Sequence, residues 1–225
     1  MNCQLQVSQI LHKAQELEGL TFSQLARMLN LPVPSDPKNA KGWLGQAVEL
    51  YLGAQAGCLP IPDFPALKLE LKTLPINAKG RVMESTYVTT LPLLGDFSLQ
   101  WEQSACFQKL QLVLWLPIEG DKTIFYGHRR IGQAILWQPS DEQYRILKKD
   151  WEEITEMVIQ GHIEKIHGGL GQYLHVRPKA ANAQKLTRAL NDQSEIIQTL
   201  PRGFYLRSQL TQEILERIWH HSERI

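Results

Sequence analysis

Cysteine is scarce in this chain. The three present, Cys3, Cys58 and Cys106, are odd in number and far apart, which excludes a disulfide framework or a CxxC zinc site and leaves them as reduced structural thiols. Long apolar runs are missing as well. No stretch approaches the ~20 residues of a membrane span, and the polar opening Met1-Asn2-Cys3-Gln4 lacks a secretory pattern, so a cytoplasmic location is expected. Nor does charge of either sign dominate: 24 Lys and Arg against 23 Asp and Glu leave a net charge of +1. Composition therefore announces no polyanion partner, and any nucleic-acid surface has to be a local patch. The seven histidines show no ligand spacing. What is there, 43% hydrophobic and 21% charged residues over 225 positions, suits a soluble globular protein of one large domain or two smaller lobes.

The order of elements is α/β, without internal repeats. Leu5, Ile10, Leu11, Ala14 and Leu17 recur at helical spacing, and Thr21-Phe22-Ser23-Gln24 reads as a capping box opening a second helix through Leu29. The proline-rich stretch from Pro32 to Pro37 ends it. A third helix is predicted from about Gly42 to Leu52, stopped by Gly53. Its single acid, Glu49, is costly among so many apolar residues unless it is paired, lies near a metal, or escapes at the helix edge. Strands are predicted over 67–74, 85–90 and 109–116, the last with Lys109 at its entrance and Pro117 at its end. Asn77-Ala78-Lys79-Gly80 reads as a turn. A long helix opens at Ser140-Asp141-Glu142 and closes at Gly161. Beyond it the pattern predicts two short strands around Gly168-Gly169, a helix in 180–190 and a last helix from about Thr211 to His221.

The most chemically suggestive stretch is Asp63 followed by Glu70-Leu71-Lys72. In 67–72 leucines take the odd positions and charges the even ones, so a strand would present Lys68, Glu70 and Lys72 on one face. Two converging carboxylates make an oxygen site for a hard cation such as Mg²⁺. A lysine two residues on can orient an attacking water or offset charge on a scissile phosphate. The same alternation also suits an edge strand whose charges simply face water and discourage aggregation. An acid-x-lysine triplet recurs at Asp36-Pro37-Lys38, but among prolines that argue for loop. Two basic segments, Arg177-Pro178-Lys179 and Pro201-Arg202-Gly203-Phe204-Tyr205-Leu206-Arg207, carry cations and aromatics of the kind that grip phosphates and touch base edges.

Taken in order along the chain, the motifs carry a resemblance. Lys41-Gly42-Trp43-Leu44-Gly45, Glu49, Gly53-Ala54-Gln55-Ala56-Gly57, Asp63-Phe64, Glu70-Leu71-Lys72-Thr73, Trp115-Leu116-Pro117-Ile118-Glu119-Gly120, Arg177-Pro178-Lys179-Ala180-Ala181-Asn182-Ala183 and Leu200-Pro201-Arg202-Gly203-Phe204-Tyr205-Leu206 closely resemble the MutH family of strand-nicking endonucleases of methyl-directed mismatch repair. The resemblance covers nearly the whole chain, with the first ~35 residues and the extreme C-terminus least distinctive. It implies a restriction-endonuclease-like α/β fold, a mixed β-sheet flanked by helices. It further implies two arms forming a DNA cleft: an N-terminal arm of about 1–105 with the catalytic residues and a C-terminal arm of about 106–225 with recognition segments.

By the same resemblance Asp63 and Glu70 are metal ligands and Lys72 the catalytic lysine, with Glu49 supporting and Lys109 auxiliary. Lys41, Tyr87, Arg177, Pro178, Lys179 and Tyr205 would face DNA, Tyr205 close to the adenine whose methylation is sensed. Tyr87 stands where a family member has phenylalanine, and Cys106-Phe107-Gln108 departs from a more basic stretch. The implied activity is Mg²⁺-dependent nicking of the unmethylated strand at hemimethylated GATC, 5′ to the G, with one or two ions and with Mn²⁺ or Ca²⁺ able to substitute for binding. The implied partners are duplex DNA and the activating ATPase MutL, with MutS acting through it, and the protein is expected to be a monomer. A type II restriction enzyme cutting both strands at GATC and a non-catalytic DNA-binding module on the same fold are the alternatives.

Overall fold

Capping chemistry sets the early helices. In the computed structural model, which describes residues 3–35, 40, 42–57, 59–95, 100–179 and 185–222 and side chains as far as residue 217, helix α1 is Cys3–Gln15 and α2 is Phe22–Met28. The Thr21 hydroxyl accepts from the Gln24 amide while the Gln24 side chain accepts from the Thr21 amide, the reciprocal pairing its sequence predicts and one that stabilises a helix end by about 1 kcal/mol. Helix α3, Trp43–Leu52, stops where Gly53 adopts φ 83°, a left-handed conformation that glycine takes without strain. Lys41, Cys58, the triplet Asp36-Pro37-Lys38 and residues 180–184 lie outside the described residues.

The chain forms two compact units that interleave in sequence. The first comprises residues 1–84, 111–138 and 212–225; the second comprises 85–110 and 139–211. A single division near residue 105 was expected, whereas the chain passes from one unit to the other four times, because strands far apart in sequence pair within each.

The first unit holds α1, α2, α3 and a three-stranded sheet of β1 (Glu70–Ile76), β3 (Val113–Glu119) and β4 (Ile135–Trp137) in the order β1-β3-β4. β1 runs parallel to β3 and β4 antiparallel to it, so the sheet is mixed. Leu44, Ala47, Val48 and Leu52 form the buried stripe of α3 and join Leu17, Phe22 and Leu25 over Leu69, Leu71, Leu114 and Leu116 in one core. Leu5, by contrast, is exposed, while Ala14 is the buried residue of α1. The strand expected over 67–74 begins only at Glu70, because Pro65–Leu67 form a 3-10 turn and Lys68 sits at φ 53°. Pro117, expected to end β3, lies inside it opposite Leu74. After β1, the turn at Asn77 forms as expected, with the Gly80 amide on the Asn77 carbonyl at 2.9 Å.

The second unit is built on an antiparallel sheet of β2 (Thr86–Thr90), β8 (Arg202–Leu206) and β5 (Leu174–Pro178), with β8 in the centre. Helix α4 (Ala105–Leu110) and the long helix α5 (Asp141–Ile159), capped by Ser140 and Gln143, belong to it. Two expectations are corrected here. The 162–176 segment holds a 3-10 turn, Ile163–Lys165, and one strand, and the helix expected in 180–190 is in its described part the strand β6 (Thr187–Leu190), which pairs with β7 (Ile196–Thr199). The last helix, α6, is Ser208–Ser222, three residues longer at its start than its pattern suggests.

Candidate functional site

Asp63 is placed by backbone on both sides. The amides of Gln55 and Ala56, just past the end of α3, donate to its carbonyl at 2.9 and 3.3 Å, and Phe64 next to it exchanges two backbone hydrogen bonds with Leu69. That tight loop returns the chain to the start of β1, where the Leu71 amide donates to Asp63 Oδ2 at 2.8 Å. The Asp63 carboxylate is thereby fixed beside the strand residue that follows Glu70. Glu70 and Lys72, two apart on β1, project to the same side, and Lys72 Nζ meets Glu70 Oε1 at 2.6 Å. Glu70 is 1% exposed and Asp63 7%, so these carboxylates are not the water-facing charges of an ordinary edge strand. Lys68 does not share their face: it lies on the left-handed turn before β1, exposed.

Two buried carboxylates are hard oxygen donors of the type Mg²⁺ takes, with further ligands from water and phosphate. Among the described residues no group of three or more His, Cys, Asp and Glu side chains is arranged to hold a metal, so a cation here would rest on Asp63 and Glu70, and the donor set fits a hard divalent ion and not a softer one. Glu49 is half-buried on α3, which packs on β1; its carbonyl accepts the Gly53 and Ala54 amides at 2.9 Å. It therefore belongs to the helix end that leads into the Gln55 and Ala56 amides holding Asp63. Lys109 lies in the last turn of α4 in the second unit, not at a strand entrance, because Cys106 and Leu110, four residues apart, bury one helical face.

The second unit gathers Tyr87, Arg177, Lys179 and Tyr205 on one face of its sheet. In the register, Tyr205 on β8 stands between Tyr87 on β2 and His175 on β5, and the two tyrosine rings meet edge-on at 5.3 Å. Residues 175, 177 and 179 alternate onto this face. Lys179 Nζ lies 4.2 Å from the Tyr87 ring centre, bonds its hydroxyl and reaches Thr90 Oγ1 at 3.2 Å. The Arg177 guanidinium lies 5.8 Å from the Tyr205 ring centre and donates to Ser85 Oγ at 2.8 Å. Pro178, between these cations, is exposed at the end of β5. Burial pushes the Tyr205 phenol above its usual range, Tyr87 adds to this, and Lys179 and Arg177 pull the other way, so the hydroxyl stays protonated as a donor. The result is an aromatic patch rimmed by cations, suited to phosphates and base edges.

Sequence reading overlooked several residues that build this face. Gly203, in mid-strand opposite Arg177, is required by close approach: a Cβ there would sit 2.9 Å from Tyr87 Cε2 and 3.1 Å from the Thr89 carbonyl. Gly203→Ala is accordingly expected to cost roughly 1–3 kcal/mol through overpacking, as a thermal melt would show; an unchanged melting temperature would mean that the Tyr87 ring gives way at no cost. The period-two series His175, Arg177, Lys179 was the signal that could have located the face. No local pattern marked Asp150. Its buried carboxylate on α5 accepts the amides of Gln172, Tyr173 and Leu174 at 2.9, 2.7 and 2.8 Å. From the other side Arg207 donates to the carbonyls of Gly168, Leu170 and Gly171, so the turn leading into β5 is clasped through both its amides and its carbonyls.

A buried acid pair with its lysine in one unit and a cationic aromatic sheet face in the other suit a protein that works on nucleic acid, and comparison with known proteins narrows the class to DNA mismatch repair. Residues 52–150 match the family model described as DNA mismatch repair enzyme MutH. The chain is 46% identical over 209 residues to the DNA mismatch repair protein MutH of Enterobacter sp. (strain 638), covering 93% of this chain and 91% of the relative, and the same figures hold for those of Escherichia coli (strain K12) and Escherichia coli O9:H4 (strain HS). The chain belongs to the MutH family.

Proposed function

We propose that this protein is a Mg²⁺-dependent endodeoxyribonuclease with a restriction-endonuclease-like fold, which nicks the unmethylated strand of hemimethylated GATC 5′ to the G during methyl-directed mismatch repair. The observation that carries the reading is the convergence of Asp63, Glu70 and Lys72 through the Leu71 amide and the Lys72–Glu70 contact. Asp63 and Glu70 hold the ion, one or two in number, which when bound supplies Lewis-acid stabilisation of charge on the phosphate and the departing oxygen. Lys72, paired to Glu70, orients the attacking water and offsets charge on the phosphate oxygens. A water oxygen bonds to phosphorus as the bond to the 3′ oxygen breaks, leaving a 5′ phosphate and, once that oxygen takes a proton, a 3′ hydroxyl. Glu49 supports the acidic pair and Lys109 adds cationic charge.

Lys41, Tyr87, Arg177, Pro178, Lys179 and Tyr205 contact duplex DNA in this reading, with Tyr205 beside the adenine. A methyl on N6 removes one amino proton and adds bulk in the major groove, a difference on the order of 1–3 kcal/mol for a fitted contact. Activation by MutL in response to MutS, a monomeric state and a cytoplasmic setting complete the proposal; no helix among the described residues is long and apolar enough to cross a membrane. The test is cleavage of unmethylated, hemimethylated and fully methylated GATC plasmids with Mg²⁺, with and without MutL. Nicked circles from the first two and little product from the third are expected, with faster turnover when MutL is present. Linear DNA as the main early product would favour a restriction enzyme instead, and binding without cleavage a non-catalytic module.

A further inference from the structure

The side chain that faces Tyr205 from β5 is a histidine held unlike its neighbours. His175 is 8% exposed, directly opposite Tyr205 in the register, with the two rings edge-on at 6.3 Å. Its Nδ1 lies 3.2 Å from the Gly168 carbonyl, the same oxygen that accepts from Arg207 at 2.8 Å. A carbonyl only accepts, so Nδ1 carries the proton, and in the neutral ring Nε2 is left with a lone pair. That nitrogen is buried and has no hydrogen-bond partner among the described residues. A buried acceptor without a donor costs free energy. On its other side Tyr205 meets the Tyr87 ring on β2, which Lys179, just past the end of β5, contacts in turn; from β5 it meets the His175 ring and, at 5.8 Å, the Arg177 guanidinium.

We propose that His175 is a positioning residue for DNA recognition: tied through Nδ1 to the Gly168 carbonyl in the turn clasped by Arg207, it fixes the Tyr205 ring and so sets how sharply adenine methylation is discriminated. The inference rests on the reading of Tyr205 as the residue beside the adenine. Burial holds the imidazole pKa below its ordinary value; the Gly168 bond raises it, and the Arg207 and Arg177 charges lower it further. The ring is therefore neutral in the state in which Nδ1 donates. Loss of the side chain would free one edge of Tyr205 and leave the Gly168 carbonyl to Arg207 alone. A glutamine can donate to the same carbonyl while lying flat against the tyrosine, so it should retain much of the effect.

The experiment compares wild type, His175→Ala, His175→Gln, Tyr205→Ala and the His175→Ala/Tyr205→Ala double variant in two measurements. The first is the ratio of cleavage rates on unmethylated and fully methylated GATC. Positioning predicts that His175→Ala lowers this ratio about tenfold, that His175→Gln restores most of it, and that the alanine at 175 changes nothing further once Tyr205 is alanine, the signature of two residues acting as a unit. A merely structural histidine would slow cleavage of all substrates alike, leave the ratio unmoved and add its loss to that of Tyr205→Ala; that outcome overturns the inference. The second measurement needs no cleavage: the ring NMR signals of Tyr205 in DNA-free protein should shift and broaden in His175→Ala and recover in His175→Gln, and unmoved signals would also overturn it. If wild type does not nick GATC, or Tyr205→Ala leaves the ratio unchanged, the proposed function of this face fails on its own account, while the NMR comparison still decides whether His175 positions the ring.

Discussion

Lys72→Ala is expected to slow nicking by about 10²–10³-fold, the usual loss when one donor aimed at developing charge is removed, while DNA affinity measured in Ca²⁺ changes little. The expectation follows from placement. Lys72 pairs directly with the acidic site, its Nζ 2.6 Å from Glu70 Oε1 and its side chain 19% exposed, so it is held between the core and whatever approaches the strand. Lysine at this position is a compact charge with rotatable donors, able to follow a water or a phosphate oxygen through the reaction. Lys72→Arg should recover little of the rate, because the planar guanidinium would pair side-on with the Glu70 carboxylate and present its fork in place of a point charge. Asp63→Asn makes the complementary change: the Leu71 amide keeps an oxygen acceptor, so the loop stays in place, while the negative charge is gone. It should abolish cleavage with little change in melting temperature. If single-turnover rates of Lys72→Ala match wild type at saturating Mg²⁺, the assignment of this constellation as the reaction centre is wrong.

Asp150→Ala is expected to be the most destabilising single change among the residues discussed. Three backbone amides lose their acceptor at once, and a buried donor left unsatisfied costs about 1–3 kcal/mol. The loss should therefore reach at least about 3 kcal/mol, a large share of the ~5–15 kcal/mol that holds a domain together, and lower the melting temperature by roughly 10 °C. Asp150→Asn should fall between, since one carboxamide oxygen can serve two of the three amides and its NH₂ faces the third. The consequence reaches recognition as well as stability, because the turn that Asp150 holds runs straight into β5 and so carries His175, Arg177 and Lys179. Below its own melting transition, Asp150→Asn should bind GATC DNA more weakly than wild type, whereas its metal-dependent chemistry on DNA it does bind should be unaffected. Calorimetry showing a shift of no more than about a degree for Asp150→Ala would mean that the 172–174 amides find water instead.

Much of the candidate site was legible before any coordinates, and the parts that were not share a cause. The acid-x-lysine triplet, the capping boxes at Thr21 and Ser140 and the glycine stop at Gly53 are short-range patterns whose physics is complete within a few residues. Errors arose where long-range pairing overrode local preference. Residues 67–69 alternate like a strand yet form a turn, because Phe64 and Leu69 bridge to bring Asp63 back over β1. Lys109 reads as the entrance to a strand, but Cys106 and Leu110 are buried as one face of a short helix. Residues 187–190 look helical alone and are a strand because β7 pairs with them.

What the amino-acid order determined unaided was chemical identity: which carboxylates and which lysine are available, where helices start and stop, and, through collinear motifs, the family. Which of those groups meet was decided by tertiary structure. Asp63 reaches the Leu71 amide, next to Glu70, through a loop held by the Gln55 and Ala56 amides, and Tyr87, Tyr205 and His175 become neighbours though 118 positions separate the first of them from the second. The physical reason is that strand pairing and burial are energies of contact between distant segments. Periodicity along one segment records which face it buries, and says nothing about what it is buried against.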